Sequence, residues 1–303
     1  MPTVLIGGGT GLIGMHLSKL LKQKGYEVIF LSRKKDLNGP FPRYAWNLTT
    51  GEIDNEAILK ADYVINLAGA GIADKRWTVS RKKTIIESRV KSMQLLKTAF
   101  IKLNKRPKAF IAASATGFYG DRGDEWLNEM APPGEGFLSE STREWENSTR
   151  EMEPLGLRLI TIRIGIVLST KGGALPKLVF PQKFWIGSYF SNGKTFYPWI
   201  HIEDLCNIFI KSMEDERMSG IFNGVAPNPV TNIELTKAIA TILNKKVLMM
   251  PVPASLLRFG MGEMADVVLT STRVSAEKIK NNGFEFQFPE LIPALKDLFA
   301  RKI

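Results

Sequence analysis

Residues 7–14 read Gly-Gly-Gly-Thr-Gly-Leu-Ile-Gly (GGGTGLIG), between a short apolar run, TVLI at 3–6, and a segment in which Leu12, Leu17, Leu20 and Leu21 recur at helical spacing. The apolar run suits a strand buried on both faces, and the leucines suit one face of the helix that follows. A glycine turn between them brings the unpaired N–H groups of the helix N-terminus against the turn, a natural seat for an anion. Gly8, Gly11 and Gly14 then supply a tight turn, a close backbone approach to a pyrophosphate, and close packing of helix on strand. The stretch therefore predicts a dinucleotide cradle with Gly8, Thr10, Gly11, Leu12, Ile13 and Gly14 as contacts. A ligand-free turn is the plainer reading of glycines alone, but both flanks argue against it. No Gly-Lys-Ser/Thr follows, which excludes a P-loop.

The next apolar run, EVIFL at 27–31, ends at Ser32, Arg33, Lys34 and Lys35. An NAD site usually places an acid here against the ribose hydroxyls. A guanidinium instead grips a ribose 2′-phosphate through charge-assisted hydrogen bonds, each contributing about 1.5–3 kcal/mol. NADP(H) is therefore the expected cofactor. A solvated basic loop is the alternative, and Asp36 is the nearby acid that speaks for NAD.

Composition narrows the function classes. With 44% hydrophobic and 23% charged residues over 303 positions, the chain has the balance of an ordinary globular enzyme. A lone cysteine, Cys206, permits no internal disulfide, and one cysteine with two histidines, His16 and His201, makes a metal site unexpected. The net charge of +11 invites a nucleic-acid reading. The lysines and arginines are, however, mixed with glutamate and lack the interleaved aromatics of a stacking platform, so no specific nucleic-acid partner is expected. No leader is expected before a first strand so close to Met1, no run has the length of a membrane span, and a cytoplasmic protein with no membrane partner is the expectation.

Along the chain, short apolar runs alternate with amphipathic segments, the pattern of an α/β doubly wound parallel sheet. YVINLA at 63–68 reads as a strand followed by Gly69, Ala70 and Gly71, small enough for close approach to a ligand. Ile86, Val90, Met93, Leu96, Phe100 and Leu103 predict a long helix, AFIAA at 109–113 and LITIRI at 159–164 further strands, and the region 143–155 a helix between them. From Lys171 the alternation lapses into a Gly-, Pro- and aromatic-rich segment, expected to form a lid or pocket wall over about 171–200. The expected division is a nucleotide-binding domain over 1–246 and a small C-terminal α/β subdomain on the substrate side over 247–303.

Several motifs occur together in one order: TGLIG, INLAG, RWT at 76–78, SRV at 88–90, SATGFYGDRGD at 114–124, GGAL at 172–175, WIHIEDL at 199–205 and APNPVTN at 226–232. On these the chain resembles the atypical extended short-chain dehydrogenase/reductase family, in its epimerase-like or cell-division-inhibitor-like subgroup with a C-terminal domain of unknown function. The resemblance spans essentially the whole chain. It implies a Rossmann-type sheet and NADP(H), with Ser32 and Arg33 at the adenosine phosphate, Leu67, Ala68 and Gly69 at a strand end, Arg89 facing the cofactor, and Thr84 and Val167 as further contacts. It also implies a catalytic part for Ser114, matching the serine that hydrogen-bonds the reacting carbonyl or hydroxyl.

Active relatives carry a Tyr-x-x-x-Lys pair on the following helix, where lysine lowers the phenol pKa toward neutrality. Counted from Trp145-Glu146, those positions hold Leu138 and Thr142, and no tyrosine in the chain is followed four residues later by lysine. Tyr119 is the expected substitute donor, with packing of its loop as the plainer role. His201, in WIHIEDL, is expected to fix a strand-to-helix turn rather than to act as a base. Two functions fit. One is an oxidoreductase or nucleotide-sugar epimerase with an altered acid–base apparatus, acting on a small-molecule substrate for which a sugar nucleotide is a candidate. The other is a non-catalytic NADP(H)-binding regulator acting through a protein partner; a homodimer is compatible with both.

Overall fold

A computed structural model describes residues 1–301. Its core is an eight-stranded sheet of β1 (Thr3–Gly7), β2 (Glu27–Ser32), β3 (Arg43–Asn47), β4 (Glu52–Ile53), β5 (Tyr63–Asn66), β6 (Ala109–Ala115), β7 (Leu159–Ile164) and β8 (Gly220–Gly224). The spatial order is β8-β7-β6-β5-β1-β2-β3-β4, parallel throughout except for the short β4. All five residues of β1 are buried, as an apolar run must be when strands flank it on both sides. Thr3 pairs with Glu27 in β2, and Val4 with Tyr63 in β5.

The chain moves from β1 outward to β2 and β3, then crosses back to β5 on the other side of β1. This reversal opens a crevice at the carboxyl ends of β1 and β5, the place where open α/β sheets bind ligands. Helix α1 (Leu12–Gln23) buries Gly14, Leu17, Ser18 and Leu21; α2 (Asn55–Lys60) is capped by the Asp54 carboxylate; and α3 (Val79–Lys102) is capped by the Thr78 hydroxyl. Helix α4 (Gly136–Arg150) starts seven residues earlier than the sequence pattern predicts, and its polar-looking face is buried through Ser139, Thr142, Trp145 and Glu146.

The segment expected as a lid contains α5 (Leu175–Gln182) and the strand Ile186–Phe190, which pairs in parallel with Leu248–Val252 from the C-terminal part. Two short pairings reinforce this side: Phe196–Tyr197 with Val230–Thr231, and Arg273–Val274 with Trp126–Leu127. Helix α6 (Ile202–Glu214) packs on α1, and α7 (Asn232–Ile242) opens with a capping box of Thr231 and Glu234. The expected boundary at 246 falls in the turn between α7 and Leu248–Val252; residues 302 and 303 of the expected subdomain lie outside the described ones.

Candidate functional site

The glycines of the cradle divide by what surrounds them. Gly8 adopts φ +78°, and a Cβ there would lie 2.8 Å from the Leu67 carbonyl carbon. A Cβ on Gly9 would enter the Phe30 ring, and one on Gly14 would lie 2.6 Å from Gly9 Cα. These three glycines let α1 pack onto the end of β1. Gly11 differs: it has φ −76°, is exposed, and a Cβ there would meet only the Gly8 carbonyl oxygen at 3.3 Å. It is also the N-cap of α1, with no side-chain cap and no acid in the first turn. The amides that open α1 therefore lack a side-chain partner and bear the helix's positive end, the chemistry an anion needs.

At the adenosine end, the Ser32 hydroxyl donates to the Lys34 carbonyl. Lys35 pairs with Asp54 at 2.7 Å, and the Asp36 carboxylate accepts from Asn38 N–H while the Asp36 backbone bridges to Arg43. Arg33 is exposed and makes no hydrogen bond or ion pair among the described residues. The acid that spoke for NAD is thus engaged in its own turn, and the arginine beside Ser32 is free.

The loop after β5 completes the crevice. Leu67 N–H donates to Gly7 carbonyl, and Asn66 steadies the turn by accepting from Ala68 N–H and donating to Ser92. Arg89 packs on Gly69, lies 4.7 Å from the Trp145 ring, and donates to the carbonyls of Ala70 and Ile85. No carboxylate pairs with it among the described residues. Burial, then the neighbouring Arg81 charge, pulls its guanidinium down to about 10. Such a cation gains from an anion more than a solvated one does. Near the N-terminus of α1, a Cβ on Gly173 would meet Leu12 at 3.4 Å and the Val167 carbonyl oxygen at 3.5 Å. Thr84 is exposed, and its hydroxyl donates to the Ser80 carbonyl within α3.

Ser114, near the end of β6, is nearly fully buried and donates to Glu146 Oε1 at 2.6 Å. Glu146 is held by Arg163 through Nε at 2.8 Å and a second guanidinium nitrogen at 2.9 Å, both side chains being buried. Arg163 also donates to the Tyr119 hydroxyl at 3.1 Å, and that hydroxyl donates to Asn223 Oδ1 at 2.7 Å. The sequence did not single out Glu146, Arg163 or Asn223 as site residues. A charged residue inside the apolar run LITIRI was the available signal, since a buried arginine requires a partner.

Tyr119, the expected substitute donor, sits inside this network. It is 0% exposed, and burial raises its pKa, opposite to the direction a phenol needs for exchange near neutrality. Leu138 and Thr142 line the turn where the tyrosine and lysine are expected: a Cβ on Gly117 would meet Leu138 Cβ at 3.4 Å and Thr142 Oγ1 at 3.7 Å. The Thr142 hydroxyl donates to Leu138 carbonyl within α4.

His201 caps α6, its Nδ1 accepting from Glu203 N–H at 3.1 Å. Burial holds its pKa down at about 4, so it is neutral near pH 7. Tyr197 and Trp199 are buried, with hydroxyl and indole N–H engaged by the carbonyls of Val268 and Asn228, which makes them packing residues. Among the described residues, no cluster of three His, Cys, Asp or Glu could hold a metal ion, and no helix is long and apolar enough to cross a membrane.

The model of the NAD dependent epimerase/dehydratase family matches residues 4–223, and that of a domain of unknown function (DUF1731) matches 252–298. The human epimerase family protein SDR39U1 is 33% identical over 98% of this chain and 99% of its own, and a Staphylococcus saprophyticus epimerase family protein is 35% identical over the same shares. The crystal structure of human SDR39U1 with NADPH superposes with a TM-score of 0.87 at 32% identity, covering 98% of both chains. A Corynebacterium glutamicum nucleoside-diphosphate sugar epimerase gives 0.80 at 33% identity; this chain spans 60% of it. The chain belongs to the NAD dependent epimerase/dehydratase family, in the extended short-chain dehydrogenase/reductase group that carries this C-terminal domain.

Proposed function

We propose that the chain is an NADP(H)-dependent oxidoreductase or nucleotide-sugar epimerase whose active site works without Tyr-x-x-x-Lys. The uncapped N-terminus of α1 beside the open face of Gly11 carries this reading. The NADPH in the crystal structure of the human relative supports the choice of cofactor. The α1 amides would hold the pyrophosphate, Ser32 and Arg33 the 2′-phosphate, and Leu67, Ala68, Gly69, Val167 and Arg89 the rest of the cofactor. When bound, the nicotinamide supplies or accepts a hydride.

The proton side of the chemistry differs from that of Tyr-Lys relatives. The single Ser114 proton is committed to Glu146, so any hydrogen bond that Ser114 makes to a ligand is one in which its oxygen accepts. Tyr119 braces Arg163 and Asn223 from within. A second reading, a non-catalytic NADP(H)-binding regulator, is favoured by one observation: no tyrosine in the chain is followed four residues later by lysine. Incubating the protein with NADPH and pooled carbonyl compounds and sugar nucleotides, while following reduced-nicotinamide absorbance and sugar epimers, separates the two. Turnover supports the enzyme. Tight NADPH binding with neither signal supports the regulator.

A further inference from the structure

The helix α5 with its following strand (175–190) and the end of α7 with Leu248–Val252 (236–252) pack together. Ile186 pairs with Leu248 and Ser188 with Met250. Lys245 reaches across, its Nζ 5.3 Å from the Trp185 ring and donating to the Lys183 carbonyl. Large apolar side chains stand in water here: Phe180 59%, Phe184 59%, Trp185 64% and Leu248 69% exposed, with Ile186 and Met250 beside them. Trp185 takes φ +60°, a left-handed conformation that a bulky side chain seldom adopts. The same two segments carry Lys177, Lys183, Lys237, Lys245 and Lys246 and not one aspartate or glutamate. Lys237, Lys245 and Lys246 line a cleft of about 810 Å³ with Thr241, Asn244 and Met249.

We propose that this aromatic and lysine face docks the protein on an anionic lipid surface. Exposed apolar patches of this kind mark interaction sites, and the surrounding chemistry selects the occupant. A second copy meeting the same face across a two-fold axis would set lysine against lysine. A nucleic acid could stack on Phe180, Phe184 and Trp185 but gains nothing from exposed Ile186, Leu248 and Met250, which a bilayer surface buries. Protein interfaces favour arginine and are depleted in lysine, whereas every cation here is lysine. Trp and Phe at the headgroup level with lysines reaching the phosphates are what a bilayer surface takes. The sequence predicted no membrane partner because no segment spans a bilayer; a face that lies on one needs no span.

The test is co-sedimentation of the full chain with vesicles of phosphatidylcholine alone and of equal parts phosphatidylcholine and phosphatidylglycerol. The expected result is binding to the anionic vesicles only, weakened by salt, and lowered about fivefold for each of Lys183, Lys245 and Lys246 changed to glutamine. Trp185→Gly suits the backbone at φ +60° and removes the indole. It and Phe184→Ser are expected to lose both vesicle binding and quenching of tryptophan fluorescence by brominated lipid, while keeping NADPH-dependent thermal stabilisation. Absence of binding to anionic vesicles overturns the proposal, as does binding that the two apolar variants leave unchanged. A parent dimer that Phe184→Ser converts to monomer also overturns it and assigns the face to a second copy.

Discussion

Ser114 Oγ and Glu146 Oε1 are 2.6 Å apart, with the serine as donor and the carboxylate locked in place by Arg163. This pairing fixes which hydrogen bonds the end of β6 can offer. It also makes the Glu146–Arg163 pair a structural dependency, since neither charge has access to water.

Removing one member of that pair strands the other. Glu146→Leu leaves a buried guanidinium without its carboxylate and is expected to destabilise the fold by about 3–5 kcal/mol, whereas Glu146→Leu combined with Arg163→Met recovers much of the loss. Urea unfolding of the parent, both single variants and the double variant measures this. A double variant whose loss equals the sum of the two single losses would show that they are independent.

Tyr119→Phe deletes one hydroxyl from the same network and leaves Asn223 Oδ1 without its donor. A loss of about 1–3 kcal/mol in unfolding free energy is expected, with NADPH affinity changed by less than about threefold. If a substrate is identified, a hundredfold fall in turnover at unchanged stability would return Tyr119 to the chemistry.

Stability is expected to decline as pH falls between about 6.5 and 4 because of His201. Its folded pKa is depressed to about 4 from 6.5 by burial, so over that interval the unfolded chain takes up a proton that the folded chain refuses. The slope reaches at most about 1.4 kcal/mol per pH unit. Above 6.5 this group contributes no pH dependence. Glu203, lowered to about 2 chiefly by its bond to His16, loses its contribution only at pH below the ordinary carboxylate value of 4.5. His201→Asn retains an N-cap and should flatten the upper part of the decline; denaturant midpoints at pH 7 and 5 show whether it does.

The fold was legible wherever an apolar run sits between two strands. TVLI at 3–6, VIFL at 28–31, VIN at 64–66 and ITIR at 160–163 are buried throughout, and burial of that kind is written directly into composition. The start of α4 was less legible because Ser139, Ser141 and Thr142 are polar by name yet buried, their hydroxyls bonded to nearby carbonyls. The cradle could be read from its glycines because backbone sterics impose them. The Ser114–Glu146–Arg163–Tyr119–Asn223 network could not, since it joins five separate elements and a polar residue's name does not reveal where its partner lies. For the same reason the sequence offered Tyr119 as an available phenol and the structure encloses it.

Gly11 and Gly14 separate binding from folding. Gly14→Ala drives a methyl group against the backbone of Gly8 and Gly9 and is expected to lower the melting temperature of the ligand-free protein. Gly11→Val meets only one carbonyl oxygen at the edge of contact and projects over the open end of α1. It should keep a native far-ultraviolet spectrum and lose thermal stabilisation by NADPH. Retained stabilisation would move the phosphate site elsewhere.

Titration calorimetry of NADPH and NADH against the parent and Arg33→Ala tests the account most directly. The free Arg33 beside Ser32 is expected to give the parent at least a tenfold preference for NADPH, about 1.4 kcal/mol, which largely disappears in Arg33→Ala while NADH affinity stays the same. Equal affinities of the parent for the two cofactors, or a preference that survives the loss of Arg33, would contradict it.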